Sequence, residues 1–368
     1  MTRRPAANPA GGPQGRARGF ALALGILALL WCLLLGRHAP RQALLSYLFA
    51  FLFCCGVSVG SLALLMVHVL TGGAWGDLIR PYLLAAARAL PFLALLSLPL
   101  LFGEPLLYPW ATPAALAHDA LLRAQSWYLN PTFFTLRTIA YFAIWLLLLA
   151  QFQRRLEQPE RLPRLAAPGL ILYAITATLA AVDWAMSLLP HWHSTVFGLM
   201  VATGWTLSAA ALAILCATWP RGAPATAPGL FKDLGNLLLA LVLIWAYLAF
   251  MQYLTIWIAD LPAETSWYLP RTLTSWREVA WLLIAFHFVV PFAVLLSRRA
   301  KQQRTGLAGV AALLLLAHWV DALWLIVPDF HPTGLALHWT DLAAPLGLGA
   351  LWLCVFLGRL PVMEPAHG

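Results

Sequence analysis

Apolar residues run through this 368-residue chain in long unbroken blocks separated by short polar breaks. Ten blocks stand out, at roughly residues 19–36, 44–70, 82–103, 134–152, 166–189, 195–219, 234–259, 278–297, 306–327 and 341–360. Each suffices to carry an α-helix across about 30 Å of hydrocarbon. A membrane barrel would alternate polar and apolar residues with a period of two, whereas these blocks are apolar throughout. The pattern predicts an all-α polytopic membrane protein with about ten transmembrane helices. Ahead of the first block, residues 1–18 are rich in Pro, Gly and Ala with four arginines, and read as a disordered tail. No small-residue cleavage site follows that block, so the first helix reads as an uncleaved anchor.

Composition strengthens this reading. Hydrophobic residues make up 62% of the chain and charged residues 10%, against about half and a quarter in soluble domains. Eighteen Trp and nine Tyr suit a protein with many headgroup-level anchors. The net charge of +9 would invite a nucleic-acid partner in a soluble protein. Here its distribution accounts for it. Of the 23 Lys and Arg, sixteen fall in the two terminal segments and the connections on the same side, including Arg154, Arg155, Arg298 and Arg299. Five fall on the other side (Arg37, Arg41, Arg123, Arg271 and Arg277), and Arg88 and Arg137 lie inside blocks. The positive-inside rule then places both termini in the cytoplasm, and the basic charge is topology, with no nucleic acid needed. The cysteines (Cys32, Cys54, Cys55, Cys216 and Cys354) all lie inside apolar blocks without CxxC or CxxCH spacing. They read as buried structural thiols, not as ligands of an iron–sulfur cluster or c-type haem.

The chain also carries an internal duplication. "SWYLNPTFFTLR" from Ser126 and "SWYLPRTLTSWR" from Ser266 share SWYL, then seven residues, then arginine, at an offset of 140. "VDWAMSLLPHWHST" from Val182 and "VDALWLIVPDFHPT" from Val320 share Asp, Pro, His and Thr at an offset of 138. Two matches at nearly one offset make blocks 3–6 and 7–10 two tandem four-helix bundles in the same orientation, preceded by two N-terminal helices. The expected boundaries are 19–80 for that pair, 81–220 for the first bundle and 221–368 for the second. By this alignment Arg277 repeats Arg137 and Asp321 repeats Asp183, while His191 is replaced by Asp329.

Titratable residues are scarce enough to be weighed singly. Asp183 and Asp321 are either ties at a Pro-terminated helix end or proton acceptors in a medium of low dielectric. His287 and His318 share a depth of about 13 Å from the outer side, counted at about 1.5 Å per residue. His318 and Asp321 are three apart and share a helix face. These three residues form a hydrogen-bonded polar cluster by expectation; a b-type haem between the histidines is the weaker reading, because the first bundle has no matching pair. Arg88 can snorkel. Glu104, His118 and Asp119 are expected in solvent, Asp260 and Glu264 flank the second outer loop, and Asp341 is expected to cap the last helix.

Two long stretches carry a resemblance. "DWAMSLLPHWHSTVFG" with "FKDLGNLLLALVLIWAYLAFMQYLTIWIADLPAETSWYLPR", then "FHFVVPFAVLLSRRAKQ" and "FHPTGLALHWTDLAAPLGLGALWL", resemble the NrfD/PsrC-like ActF subunits of bacterial alternative complex III. That family forms membrane subunits of a quinol:cytochrome c (or electron-carrier) oxidoreductase. The likeness runs from about the fifth helix onward and is weaker over the first three. It implies a multi-pass subunit of the bacterial inner membrane, inactive alone and binding no cofactor itself. Implied partners are iron–sulfur and multihaem cytochrome c subunits, which carry the clusters and haems, and a homologous NrfD-like subunit. Quinone or menaquinone is the implied substrate, and quinol oxidation needs a proton acceptor near the outer surface. Asp183 and His191 match that need in type and side, with His287, His318, Asp321 and Asp329 as a proton pathway. Leu189 departs from the family, which often has an acidic residue there. The sister subunit is the usual quinol site, which leaves a quinone-facing surface, a proton half-channel or a scaffold open for this chain. A duplicated secondary transporter is the alternative from another class.

Overall fold

A computed structural model describes residues 12–218 and 228–361. It is helical, with no strand among the described residues. All ten apolar blocks become helices long and apolar enough to cross a membrane: α1 (Pro13–Leu34), α2 (Pro40–Thr71), α3 (Ala74–Phe102), α4 (Pro131–Arg154), α5 (Pro159–Leu188), α6 (Phe197–Thr218), α7 (Gly229–Ala259), α8 (Trp276–Leu296), α9 (Arg304–Asp329) and α10 (Thr340–Arg359). The protein is therefore an all-α polytopic membrane protein. Residues 13–18, assigned to the tail by composition, are the first turns of α1. The rest of that tail, with Arg3 and Arg4, and Arg221 lie outside the described residues.

Local sequence explains the helix ends. Asn130 accepts the Phe133 N–H at 2.9 Å and is followed by Pro131, whose fixed φ and missing N–H suit a first helical position. Pro81 stands inside α3, which breaks after Ala87 and restarts at Leu90. In α8, residues Ile284–Val289 form a π-turn just ahead of Pro291, which cannot donate its nitrogen to the ladder. His287 sits in that turn.

Helices α3 to α6 close into a four-helix ring, α7 and α9 pack on α6, and α8 packs on α7 and α9. Helix α10 lies chiefly against α1 and α2. The two N-terminal helices have different places. Only 17% of the most apolar stretch of α1 is buried, against 94% of that of α2. Helix α2 is thus no appendage; it packs on α3, α5, α6, α9 and α10 and joins both halves. Its Gly56 and Gly60, four apart, admit α6 at very close range. A Cβ on Gly60 would stand 2.2 Å from the Trp205 carbonyl oxygen, so no other residue fits without backbone movement. The Trp352 indole on α10 donates to Ser58 Oγ on α2 at 2.8 Å.

Candidate functional site

In the first copy, Asp183 is an arginine partner. Arg137 Nε and Nη2 donate to Asp183 Oδ2 and Oδ1 at 2.7 and 2.9 Å, a bidentate fork. Tyr141 adds its hydroxyl to Oδ2 at 2.6 Å. The guanidinium also donates to the Tyr128 carbonyl at 2.8 Å and stacks 3.8 Å over the Tyr128 ring. Asp183 is wholly buried. The fork ties helices α4 and α5 together, and any proton transfer at this carboxylate would have to act through Arg137 and Tyr141.

Asp183 and His191, expected to act as a pair, are not brought together. The chain leaves α5 through the tight turn Met186–Leu188 and Pro190, which carries His191 out to the exposed loop face. There its Nε2 meets Asp119 Oδ2 at 2.6 Å. The other Asp119 oxygen caps a short helix by accepting the Leu121 and Leu122 N–H groups at 2.9 and 3.1 Å. The Leu122 N–H, with the His191 ring beside it, holds the Asp119 carboxyl below the usual range.

Beneath this loop lies a cavity of about 220 Å³, lined by Gln125, Tyr128, Met186, Trp192 and His193 among others. Gln125 Oε1 and the Tyr128 hydroxyl are buried without hydrogen-bond partners. Burial pushes the Tyr128 phenol up to about 12. Its hydroxyl lies toward Asp183 without bonding to it. Sequence reasoning missed this cavity, because Gln125 and Tyr128 belong to the loop and only the fold brings them under His193.

The second copy rearranges the ion pair. Arg277, which aligns with Arg137, is exposed and meets only its neighbour Glu278 at 3.2 Å. Arg271 is buried instead. It donates to Asp329 Oδ1 at 2.6 Å and to the carbonyls of Trp267, Leu325 and Trp324, with its guanidinium 3.7 Å over the Trp267 ring. Asp329 is therefore half of a buried ion pair, which removes it from the expected proton pathway. The signal for this was the exchange of His191 for Asp329: a new carboxylate there needs a cation, and Arg271 is on the adjoining loop.

That shift strips Asp321 of an arginine. Asp321 and His318, one helical turn apart on α9, stand with Nδ1 and Oδ2 3.8 Å apart, too far for a hydrogen bond. The His318 and His287 rings are 6.0 Å apart, and the Trp245 ring of α7 lies 3.9 Å from His287. Phe53 of α2 packs 5.8 Å from His318, and Gly204 of α6 leaves space for it, since a Cβ there would stand 2.9 Å from His318 Cε1. All four ring nitrogens of the two histidines are buried without partners. Unsatisfied buried nitrogens are costly and call for an explanation. His287, His318 and Asp321 are thus brought together on α8 and α9 as expected, but without the hydrogen bonds expected among them. An apolar cleft of about 350 Å³ between α2, α9 and α10 reaches Phe53 and Trp319 beside them.

Two other carboxylates depart from solvent. Asp341, expected to cap α10, stands in its first turn and makes no cap bond to the helix; its Oδ2 accepts the His338 N–H at 2.8 Å, and Oδ1 accepts from Ser46 and Gln42 of α2 at 2.6 and 2.9 Å, which ties α10 to α2. Glu104, expected in solvent, is 7% exposed, and its Oε2 has no partner. Burial pushes this carboxyl up to about 7. Because the folded value lies above the unfolded one, stability is full below the unfolded value, about 4.5, and is lost as pH rises through 7. Glu104→Gln, which cannot ionise, is expected to melt above the wild type at pH 8, with the gap closing toward pH 4.5. Melting curves of both proteins across that range check this.

Compared with models of known protein families, the chain matches none, and no curated protein matches it either.

Proposed function

We propose that this chain is a membrane subunit of a quinol-oxidising electron-transfer complex and that it moves protons through Asp321, His318 and His287. One observation carries the reading: the second copy keeps the repeated aspartate but takes away its arginine, placing it beside two histidines with unpaired nitrogens. A carboxyl without a fixed cation can gain and lose a proton without breaking an ion pair, and an imidazole nitrogen can accept a proton and release one. Quinol oxidation releases two protons with two electrons, so a proton carrier in the membrane meets its chemical need. The apolar cleft beside Phe53 has the character to receive a quinol's hydrocarbon tail, one ring away from His318.

Resemblance of the Asp183–Gly198 and Phe231–Arg271 stretches to ActF subunits supports the same assignment. The arginine distribution favours a bacterial inner-membrane orientation with both termini cytoplasmic. Iron–sulfur and multihaem cytochrome c subunits, and a second NrfD-like subunit, are then the partners that carry the electrons. A secondary transporter would call for matching breaks in the two copies. The break in α3 has no counterpart in the continuous helix of α7, and the π-turn of α8 none in α4. Purification of the tagged chain from its native membrane tests the assignment. Co-purified c-type haem absorbance and quinol oxidation are expected; a chain that purifies alone, without haem or quinol oxidation, contradicts it.

A further inference from the structure

At the end of the molecule where α1 begins and α10 finishes, three arginines from three helices converge. The Arg18 guanidinium of α1 lies on Gly358 of α10, its Cζ 2.9 Å from the point a Cβ would occupy. Arg359 is the next residue along. Arg88 of α3, half-buried at the break in that helix, lies close enough to Arg359 for the two charges to repel.

Among the described residues, none of the three has an ion-pair or hydrogen-bond partner. This sets them apart from the other arginines inside the fold. Arg137 and Arg271 are held by carboxylates, and Arg304 donates to the Thr218 carbonyl at 2.7 Å. The acidic residue nearest to Arg88 along α3, Asp77, is taken by Arg80 at 3.3 Å. Arg88 also sits inside a membrane-spanning helix, where a charge without a partner is costly. Among the described residues no acid meets these three charges, so an anion supplied from outside them would relieve their repulsion.

We propose that Arg18, Arg88 and Arg359 bind the phosphate of an acidic phospholipid beside α10, which packs on both α1 and α3. Guanidinium groups hold phosphate oxygens in bidentate pairs, and three of them suit a headgroup of one or two phosphates. The surroundings favour lipid as the source. Leu22 and Ile26, 45% and 46% exposed, follow Arg18 at i+4 and i+8 on the same face of α1 and offer an apolar surface for acyl chains. The bound headgroup also answers a structural need, since α1 buries little of itself and would be clasped to α3 and α10.

The test uses the full chain, delipidated in neutral detergent and titrated with phosphatidylglycerol, phosphatidylcholine or inorganic phosphate, with retained lipid and melting temperature as readouts. Phosphatidylglycerol is expected to be retained and to raise the melting temperature, and phosphatidylcholine to do neither. Arg88→Gln and Arg18→Gln are each expected to weaken phosphatidylglycerol retention about fivefold, the worth of one basic residue near a charged headgroup. Arg18 is exposed, so its variant keeps the fold and the comparison holds if Arg88→Gln does not fold. Equal retention of the two lipids, or unchanged retention in the Arg18 variant, overturns the site. Stabilisation by inorganic phosphate matching that by phosphatidylglycerol overturns the lipid as its ligand.

Discussion

Replacing Arg137 with Ala is expected to destabilise the protein by about 3–5 kcal/mol, the cost of stranding a buried charge. Asp183 would keep only the Tyr141 hydroxyl, in a site wholly closed to solvent. Arg271→Ala is expected to cost as much, through Asp329. Arg277→Ala, at the position that aligns with Arg137, is expected to stay within about 0.5 kcal/mol, because its side chain is 61% exposed. Unfolding in denaturant-titrated mixed micelles ranks the three variants. Equal effects at Arg137 and Arg277 would mean that the second copy retains the ion pair of the first. A double change, Arg137→Met with Asp183→Leu, is expected to recover much of the loss, since an apolar pair of similar volume often replaces a buried ion pair at little cost.

Asp321→Asn is expected to act in the opposite way, leaving the fold standing and slowing the complex. Among the described residues no arginine holds Asp321, so the amide strands no charge. If the carboxyl carries protons away from quinol, turnover falls on the order of 100-fold, the usual worth of a positioned acid–base group. Asp321→Glu is expected to keep part of the rate. Quinol oxidation assayed on the assembled complex, beside its melting temperature, separates this from misfolding. Asp183→Asn gives the contrast: it breaks the Arg137 fork, so its loss of activity is expected to follow its loss of stability.

How much of this was legible in the sequence depends on what each residue needs. The helices follow from apolar length alone, so all ten were readable, and so was the place of Asp341 at a helix start, though not its bonds to Ser46 and Gln42 of α2. The cluster of His287, His318 and Asp321 could be read because depth along two helices fixes it. What failed were inferences that one copy repeats the other. The arginine of the first copy stands at position 137 and that of the second at 271, not 277, because the ion pair moved outward with the exchange of His191 for Asp329. Side-chain direction after a turn was equally hidden: Pro190 sends His191 out to Asp119, away from Asp183. The centrality of α2 had a faint sign, the pair Gly56 and Gly60, whose meaning needs Trp205 of a distant helix. Glu104 looked like a loop residue by its neighbours, and only packing shows its burial.

Protons counted per electron in the reconstituted complex test the central claim most directly. With wild-type protein in sealed vesicles, each quinol oxidised is expected to deliver its protons to one side, and Asp321→Asn to lose that delivery along with turnover. An Asp321→Asn complex that keeps both the wild-type rate and the wild-type proton yield would contradict the account.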